Sequence, residues 1–239
     1  MNFPSIQVNN FFNDVDSVIN FSKNQNYTYD KQGRYPGQRT QSLNNLDYDL
    51  FVYITQKIMR LFYPDIEIFK KTLWESISYF QKINYDDVKL HNKISGKGWI
   101  HKDNTSFITA IVYLTPNGLN NGTSIYKLKR EGSLIDDGEQ IIKNNYYQKQ
   151  YVDEESYCKS LEESYKNYDE IAYFNSNFNS LVAFDSSQSH SANFNLKPGE
   201  ERLTLITFFN NLTVPYFPVP EMRRIWNIDL TNNNKYDIL

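Results

Sequence analysis

Residues 202–209 read Arg202-Leu203-Thr204-Leu205-Ile206-Thr207-Phe208-Phe209. The β-branched and aromatic side chains of this run favour a strand, and its length is ordinary for one. Because successive side chains of a strand point to opposite faces, one face carries Arg202, Thr204, Ile206 and Phe208. We therefore predict a strand that places a guanidinium and a hydroxyl beside two apolar side chains.

Similar segments occur throughout the chain from residue 78 onward. They are short runs rich in Ile, Val, Phe and Tyr, separated by turn residues. This spacing is typical of an all-β sandwich or barrel. We predict four further strands, at residues 88–94, 107–114, 123–128 and 180–184.

One long helix is predicted at residues 46–62. Four apolar side chains recur there at four-residue spacing, namely Leu50, Ile54, Ile58 and Phe62. Such a stripe forms one face of a helix, and we expect it to lie against the sheet. The predicted fold class is mainly β with flanking helices.

The expected organisation is a single domain, because 239 residues suit one core. It comprises a helical and turn-forming flank (1–77), a β core (78–209) and a tail (210–239). The core is interrupted at 127–178 by a charged, Tyr-rich insertion, helical around 154–168, which is either a lid over the barrel or a solvated excursion. Arg39, in a turn-forming stretch, serves either substrate binding or loop stability.

Composition argues against several classes of protein. No run approaches the roughly 18 apolar residues of a membrane span, and the first residues lack a basic segment leading into an apolar one. We expect a soluble, cytoplasmic protein. A net charge of -3 and a pI near 5.7 supply no field that would gather nucleic acid. The single cysteine, Cys158, permits no internal disulfide.

Two of the three histidines fit a mononuclear metal site. His101 and Asp103 are two apart and share a face if the chain is extended, although about 0.35 such His-x-Asp/Glu matches arise by chance here. His190 follows an apolar run at 181–184 and supplies a third ligand. Two His and one carboxylate suit iron(II) with open positions, and zinc is the competing occupant. The alternative is that both histidines are ordinary loop residues.

Arg202 indicates a second element of the same site. If its face lines the interior, the guanidinium needs a partner, and a carboxylate bound bidentately fits best. Thr204 can donate to the same carboxylate. A surface pair with Glu200 or Glu201 is the alternative. Tyr113 brings a phenol into an apolar strand, where either a ligand carboxylate or a backbone carbonyl is its partner.

Parity in the predicted strand at 88–94 adds one candidate. Asn92 shares the face of the apolar residues of that strand, whereas His91 points the opposite way. We therefore predict Asn92 as a pocket residue that contacts the co-substrate. His91 is expected to face solvent among lysines.

Together these residues resemble the iron(II)- and 2-oxoglutarate-dependent dioxygenase superfamily, on the prolyl-hydroxylase-like branch that includes phage-encoded homologues. The resemblance runs from about residue 88 to 209. Its elements are Gly98-Trp99-Ile100-His101-Lys102-Asp103, Tyr113-Leu114-Thr115, Asn121-Gly122-Thr123-Ser124-Ile125-Tyr126, Val182-Ala183-Phe184-Asp185 leading to His190, and Arg202-Leu203-Thr204.

The resemblance implies a double-stranded β-helix, the jelly roll shared with cupins. It implies iron(II) on His101, Asp103 and His190, with 2-oxoglutarate chelating the metal and its far carboxylate on Arg202, Thr204 and Tyr113. The implied reaction consumes O2, converts 2-oxoglutarate to succinate and hydroxylates a peptide or amino-acid side chain. The phage homologues extend the cytoplasmic expectation to an infected host cell.

Two departures qualify the resemblance. Asp103 and His190 are 87 positions apart (190 less 103), which the insertion at 127–178 would explain. The superfamily's nucleic-acid demethylases carry a second Arg where this chain has Phe208, which argues against base repair. Two alternatives stay open: a cupin-like module that binds a metal or small ligand without catalysis, and a nucleic-acid oxygenase.

Overall fold

The computed structural model describes residues 3–116, 121–129 and 137–219. The strands in these residues are β1 (Ile6–Val8), β2 (Thr28–Tyr29), β3 (Gln38–Arg39), β4 (Leu73–Asn84), β5 (Ile108–Tyr113), β6 (Thr123–Leu128), β7 (Tyr168–Phe174), β8 (Ser180–Asp185), β9 (Ser189–Ala192) and β10 (Glu201–Thr213). The helices are α1 (Val15–Lys23), α2 (Leu43–Leu46), α3 (Tyr48–Phe62), α4 (Ile66–Phe69), α5 (Tyr85–Ile94), α6 (Asp137–Tyr147) and α7 (Glu154–Lys166).

The strands form two antiparallel sheets. The larger has the order β1-β8-β5-β10-β4-β3-β2, and the smaller has the order β7-β6-β9. Strand β10 lies at the centre of the larger sheet, where Thr204 is opposite Tyr113 of β5 and Gln81 of β4. This is a jelly roll with flanking helices, so the predicted fold class is confirmed.

The two faces of the larger sheet have different partners. On one face, Leu203 and Leu205 of β10 pack in a core with α3, whose Ile54 and Ile58 are fully buried. On the other face, Ile206 packs in a second core with side chains of β5, β8 and β6, namely Ile111, Tyr113, Val182, Phe184 and Ile125. The period-two alternation of β10 thus separates the helix-covered face from the face between the sheets.

Several predicted elements are confirmed to within a few residues. The helix predicted at 46–62 is α3, and its apolar stripe does pack against the sheet. The strands predicted at 107–114, 123–128 and 180–184 are β5, β6 and β8, and the strand at 202–209 is the central part of β10. The sequence pattern does not predict strand β4. Residues 1–77 also contribute β1, β2 and β3 in addition to their helices.

The strand predicted at 88–94 is wrong, because residues 85–94 form helix α5. The carboxylate of Asp87 accepts a hydrogen bond from the backbone N–H of Asn84, which closes the first turn. The buried side chains then follow helical spacing, with Val88 and His91 on the inner face. His91 is fully buried, so its expected solvent exposure is also wrong.

The insertion at 127–178 contains more structure than its composition indicates. The helix predicted around 154–168 is α7, and α6 precedes it. Strand β7 pairs with β6, so the end of the insertion completes the smaller sheet. Residues 130–136 of the insertion and 220–239 of the tail lie outside the described part of the chain. No helix within the described ranges combines the length and apolar character needed to cross a membrane.

Candidate metal and co-substrate site

The backbone brings two histidines that are distant in sequence onto one face. His101 and His190 form an antiparallel bridge, with N–H to carbonyl hydrogen bonds of 2.9 and 2.8 Å in the two directions. Their rings are 4.4 Å apart between centroids. Asp103 follows two residues later, with its carboxylate 3.8 Å from Nε2 of His101 and 3.4 Å from Nε2 of His190. One atom from each side chain lies within 4.8 Å of the others, as one ion would require.

Neighbouring groups orient these side chains. Nδ1 of His101 is 2.9 Å from the carbonyl oxygen of Trp99, and Nδ1 of His190 is 2.9 Å from that of Gln188. A protonated Nδ1 donating to a carbonyl leaves Nε2 as the lone-pair nitrogen, which is the tautomer that binds a metal. Thr109 donates a 2.6 Å hydrogen bond to Oδ2 of Asp103.

The charge states also suit metal binding. Burial lowers the pKa of His101 well below its ordinary value, and the nearby His190 lowers it further. Burial raises the pKa of the Asp103 carboxyl, but its interactions with His190, His101 and Thr109 together outweigh burial, so the net pKa lies below the usual range. At neutral pH the site therefore presents a neutral imidazole at His101 and an ionised carboxylate at Asp103.

Arg202 and Thr204 lie on the inner face of β10 with unused hydrogen-bonding atoms. Arg202 is 4% exposed, and its Nε donates to the carbonyl oxygen of Asn121 at 2.9 Å. Within the described residues, Nη2 of Arg202 and Oγ1 of Thr204 are buried without a partner. Arg202 lines the same cavity as the triad. Two buried polar atoms without partners are costly, so they indicate the place of a missing acceptor.

The remaining predicted residues lie differently. Tyr113 is buried with its ring 5.4 Å from the Arg202 guanidinium, but its hydroxyl is engaged with Oγ1 of Thr123 at 2.7 Å. Asn92 lies on α5, where its Nδ2 donates to the carbonyl oxygen of Leu196, and it borders a different cavity. The prediction that Asn92 lines this pocket depends on strand parity, which does not apply because residues 85–94 form a helix. The structure does not bring Asn92 to the site.

Three residues at the site were not singled out for it from sequence. Thr109 had a usable signal, because it is a polar residue in an apolar strand with the parity of Tyr113. Arg39, on β3, lines the cavity. From sequence alone, its turn-forming stretch was compatible with either substrate binding or loop stability. Lys143, on α6, also lines it, and a lysine in a charged helix gives no signal of this kind.

The residues present fit a divalent metal with a dicarboxylate. Two imidazoles and a carboxylate on one side of an ion are a donor set for iron(II), with other positions left open. Arg202 lines that cavity, Thr204 lies two residues further along the same face of β10, and their unpartnered atoms suit one carboxylate. The site therefore has the donors that an iron(II) and 2-oxoglutarate pair would need.

The chain belongs to the family described as "Family of unknown function (DUF6445)", which it matches over residues 2–209. No curated protein matches the chain.

Several solved structures share this fold. HygX from Streptomyces hygroscopicus, with nickel and 2-oxoglutarate bound, is 8% identical with a TM-score of 0.51, over 87% of this chain and 83% of that one. SnoK, a non-heme α-ketoglutarate-dependent carbocyclase from nogalamycin biosynthesis, is 10% identical with a TM-score of 0.50, over 93% and 87%. A Pseudomonas putida prolyl-4-hydroxylase is 12% identical, over 87% and 92%, with a TM-score of 0.47. The similarities to HygX and SnoK support the fold and distinguish no branch within it.

Proposed function

We propose that this chain is an iron(II)- and 2-oxoglutarate-dependent oxygenase that hydroxylates a side chain of a peptide or free amino acid. In the balanced reaction, a C–H bond, O2 and 2-oxoglutarate give an alcohol, succinate and carbon dioxide. The observation that carries the proposal is a pair of buried, unpartnered atoms. One belongs to Arg202, which lines the cavity of the His-Asp-His cluster, and the other to Thr204, two residues further along the same face of β10. A structural metal alone would not require them.

Each residue has a distinct role in this proposal. His101, Asp103 and His190 would hold the metal, and Arg202 with Thr204 would bind the far carboxylate of 2-oxoglutarate. Thr109 would orient the Asp103 carboxylate through its 2.6 Å hydrogen bond. Tyr113, whose hydroxyl is held by Thr123, would pack its ring against the Arg202 guanidinium and so restrict the movement of Arg202. When bound, iron(II) and 2-oxoglutarate supply the oxidation with O2.

Anaerobic titration with iron(II) and then 2-oxoglutarate tests the proposal, with the metal-to-ligand charge-transfer band as the signal. We expect His190→Ala to abolish iron binding. Arg202→Ala should bind iron but raise the Kd for 2-oxoglutarate at least about tenfold, because a charged hydrogen-bonded pair is lost. Arg60→Ala, on the exposed side of α3, is the matched control and should behave as wild type.

Turnover separates this function from a binding module of cupin type. The iron-loaded protein should form succinate from 2-oxoglutarate in air, even slowly and without a substrate. If the protein binds 2-oxoglutarate but forms no succinate, the oxygenase assignment is wrong and a binding role replaces it. If both variants keep wild-type spectra and affinities, the site assignment itself is wrong.

A further inference from the structure

The cavity extends beyond the residues assigned to metal and co-substrate. Its volume is about 460 Å³, and it is also lined by a group of aromatic and cationic side chains that the proposed function does not use. The residues of this group that matter are Arg39, Lys143, Tyr35, Tyr79 and Phe208. We call them the outer group.

Arg39 is fixed in place by the elements around it. Strand β3 pairs with β4, so that Arg39 is opposite Gln81. The guanidinium carbon is 3.7 Å from the centroid of the Tyr35 ring, and the Tyr79 and Phe208 rings are 5.7 and 5.6 Å away. Stacking on an aromatic face leaves the edge of a guanidinium available for hydrogen bonds in its own plane.

That edge is largely unused. Nη2 of Arg39 donates to Oε1 of Gln81 at 3.3 Å, and Gln81 is itself held by a 2.7 Å hydrogen bond to the carbonyl oxygen of Pro36. Nε of Arg39 is buried and has no hydrogen-bond partner in the described ranges. No carboxylate in those ranges forms an ion pair with Arg39. Arg39 is therefore a half-buried guanidinium whose inner nitrogen has no partner and whose charge has no anion beside it.

Arg34 provides a contrast within the same cavity. Its Nε and Nη2 donate to the two carboxylate oxygens of Asp30 at 3.0 and 2.8 Å. Its side chain is 66% exposed. The charge of Arg34 is therefore already satisfied, whereas that of Arg39 is not.

Lys143 adds a second positive charge from the insertion. It lines the cavity from α6, and none of the ion pairs within the described residues includes it. The negative charge of Asp103 acts on both Lys143 and Arg39, so both cations lie within electrostatic reach of the proposed metal site. Burial lowers the pKa of Lys143, and Asp103 partly offsets that effect.

The charges of the loaded site balance without the outer group. Two positive charges on the metal and one on Arg202 match one negative charge on Asp103 and two on 2-oxoglutarate. Arg39 and Lys143 then leave two positive charges with no anion to offset them, beside aromatic walls. The missing partner is therefore anionic and has an apolar part.

We propose that the oxidised substrate carries a free carboxylate bound by Arg39 and Lys143, with its apolar portion against Tyr79 and Phe208. In the peptide and amino-acid class, this is an amino acid or the C-terminal residue of a peptide with its carboxylate intact. The planar fork of Arg39 matches a carboxylate bidentately. This inference rests on the proposed function, because it assigns the substrate of the same site.

Matched acid and amide probes test the inference. The iron-loaded protein is saturated with 2-oxoglutarate under anaerobic conditions and titrated by calorimetry with the N-acetyl derivatives of the twenty amino acids. Each acid is compared with its neutral carboxamide. We expect at least one acid to bind, and its carboxamide to bind at least tenfold more weakly.

Three variants locate the carboxylate. Arg39→Gln should weaken binding of that acid at least tenfold and leave binding of its carboxamide and the Kd for 2-oxoglutarate within twofold of wild type. Lys143→Gln should weaken binding of the acid severalfold and likewise leave the affinities for the carboxamide and for 2-oxoglutarate unchanged. Arg34→Gln is the matched control, because its charge is already paired, and should leave all three affinities unchanged.

The outcomes separate this inference from the function on which it rests. Failure of the wild type to bind 2-oxoglutarate would overturn both. If 2-oxoglutarate binds normally, the substrate inference alone is wrong in any of three cases: no acid binds at 10 mM, acids and carboxamides bind equally, or Arg39→Gln retains acid affinity. An O-phosphoryl amino-acid carboxamide that binds better than every acid would also overturn it, in favour of a phosphate.

Discussion

Two threonines on one strand show how a single residue can be placed for a ligand or for the fold. Thr204 and Thr207 both lie on β10 and are both buried, but they point to opposite faces. Oγ1 of Thr207 is hydrogen-bonded to Oγ of Ser78 at 2.8 Å. Oγ1 of Thr204 has no such partner in the described residues. Since a buried hydroxyl without a partner is unfavourable, Thr204 is better explained by a ligand than by stability.

Thr204→Val should therefore separate stability from affinity. We expect the free energy of unfolding without ligand to stay the same or rise by about 1 kcal/mol, because an unsatisfied hydroxyl is removed. The Kd for 2-oxoglutarate should rise about tenfold. Thr207→Val is the control and should do the reverse, with about 1 kcal/mol of lost stability and an unchanged Kd. Urea denaturation and the charge-transfer titration measure the two quantities, and equal behaviour of the two variants would contradict the assignment.

Thr109 is placed to act on the metal through Asp103. Its hydroxyl donates to the carboxylate at 2.6 Å and also contacts Oγ of Ser186 at 2.8 Å. Thr109→Val removes the donor with little change of shape, so we expect metal affinity to fall about tenfold or more. A calorimetric titration with manganese(II) measures this change in metal affinity. Thr55→Val, on α3 and outside the cavity lining, should leave metal affinity unchanged, and an unaltered affinity in Thr109→Val would exclude this role.

At the scale of elements, α5 shows why a local pattern can mislead. Residues 88–94 alternate in polarity over a short run, which is typical of a strand. The structure is decided instead by the turn that Asp87 closes with Asn84 and by the contacts of His91. Nδ1 of His91 is 2.9 Å from the carbonyl oxygen of Lys97, and Nε2 is 2.8 Å from the hydroxyl of Tyr157. Tyr157 is on α7, so the partner that buries His91 is distant in the sequence.

The burial of His91 predicts how stability depends on pH. Burial lowers the pKa of His91 from 6.5 to about 4. Between these values the unfolded chain takes up a proton that the folded chain does not, so stability falls as the pH drops from 6.5 towards 4. This contribution reaches roughly 3 kcal/mol at pH 4.

Urea denaturation of wild type and His91→Asn across pH 4 to 8 checks this dependence. His91→Asn should be less stable at pH 7, because buried contacts are lost. Its stability should nevertheless decline less steeply than that of wild type between pH 6.5 and 4. Parallel curves for the two proteins would show that His91 does not titrate as its burial requires.

On the scale of the whole molecule, the cavity is assembled from segments that are far apart in the chain. Strand β3 contributes Arg39, α6 of the insertion contributes Lys143, and β10 contributes Arg202, while His101 and His190 meet across a backbone bridge. A ligand that contacts all of these parts stabilises the folded state as a unit. Binding and global stability should therefore be linked.

Metal and co-substrate should raise the melting temperature in two steps. At 100-fold excess over its Kd, a ligand adds about 2.7 kcal/mol, which corresponds to roughly 5–10 °C for a chain of this size. Manganese(II) should give the first step, 2-oxoglutarate the second, and a chelator should reverse both. Arg202→Ala should keep the first step and lose most of the second. A second step that occurs without metal would contradict the chelated arrangement.

Local periodicity is enough to predict the faces of β10 and α3 from the sequence. The alternation in β10 placed Arg202, Thr204, Ile206 and Phe208 on one face, and the four-residue spacing in α3 placed its stripe against the sheet. These predictions hold because a side chain's direction along a strand or helix follows from backbone geometry alone.

What those faces contact depends on the tertiary structure. It made residues 85–94 a helix, set His101 beside His190 across the bridge, moved Asn92 to a different cavity and brought Arg39 and Lys143 to the same one. Each of these depends on contacts between segments far apart in the chain, and the energies of such contacts exceed the local preferences that a sequence pattern displays. The metal-binding pattern was therefore visible in the sequence, whereas the Arg39 guanidinium that has no anion beside it was not.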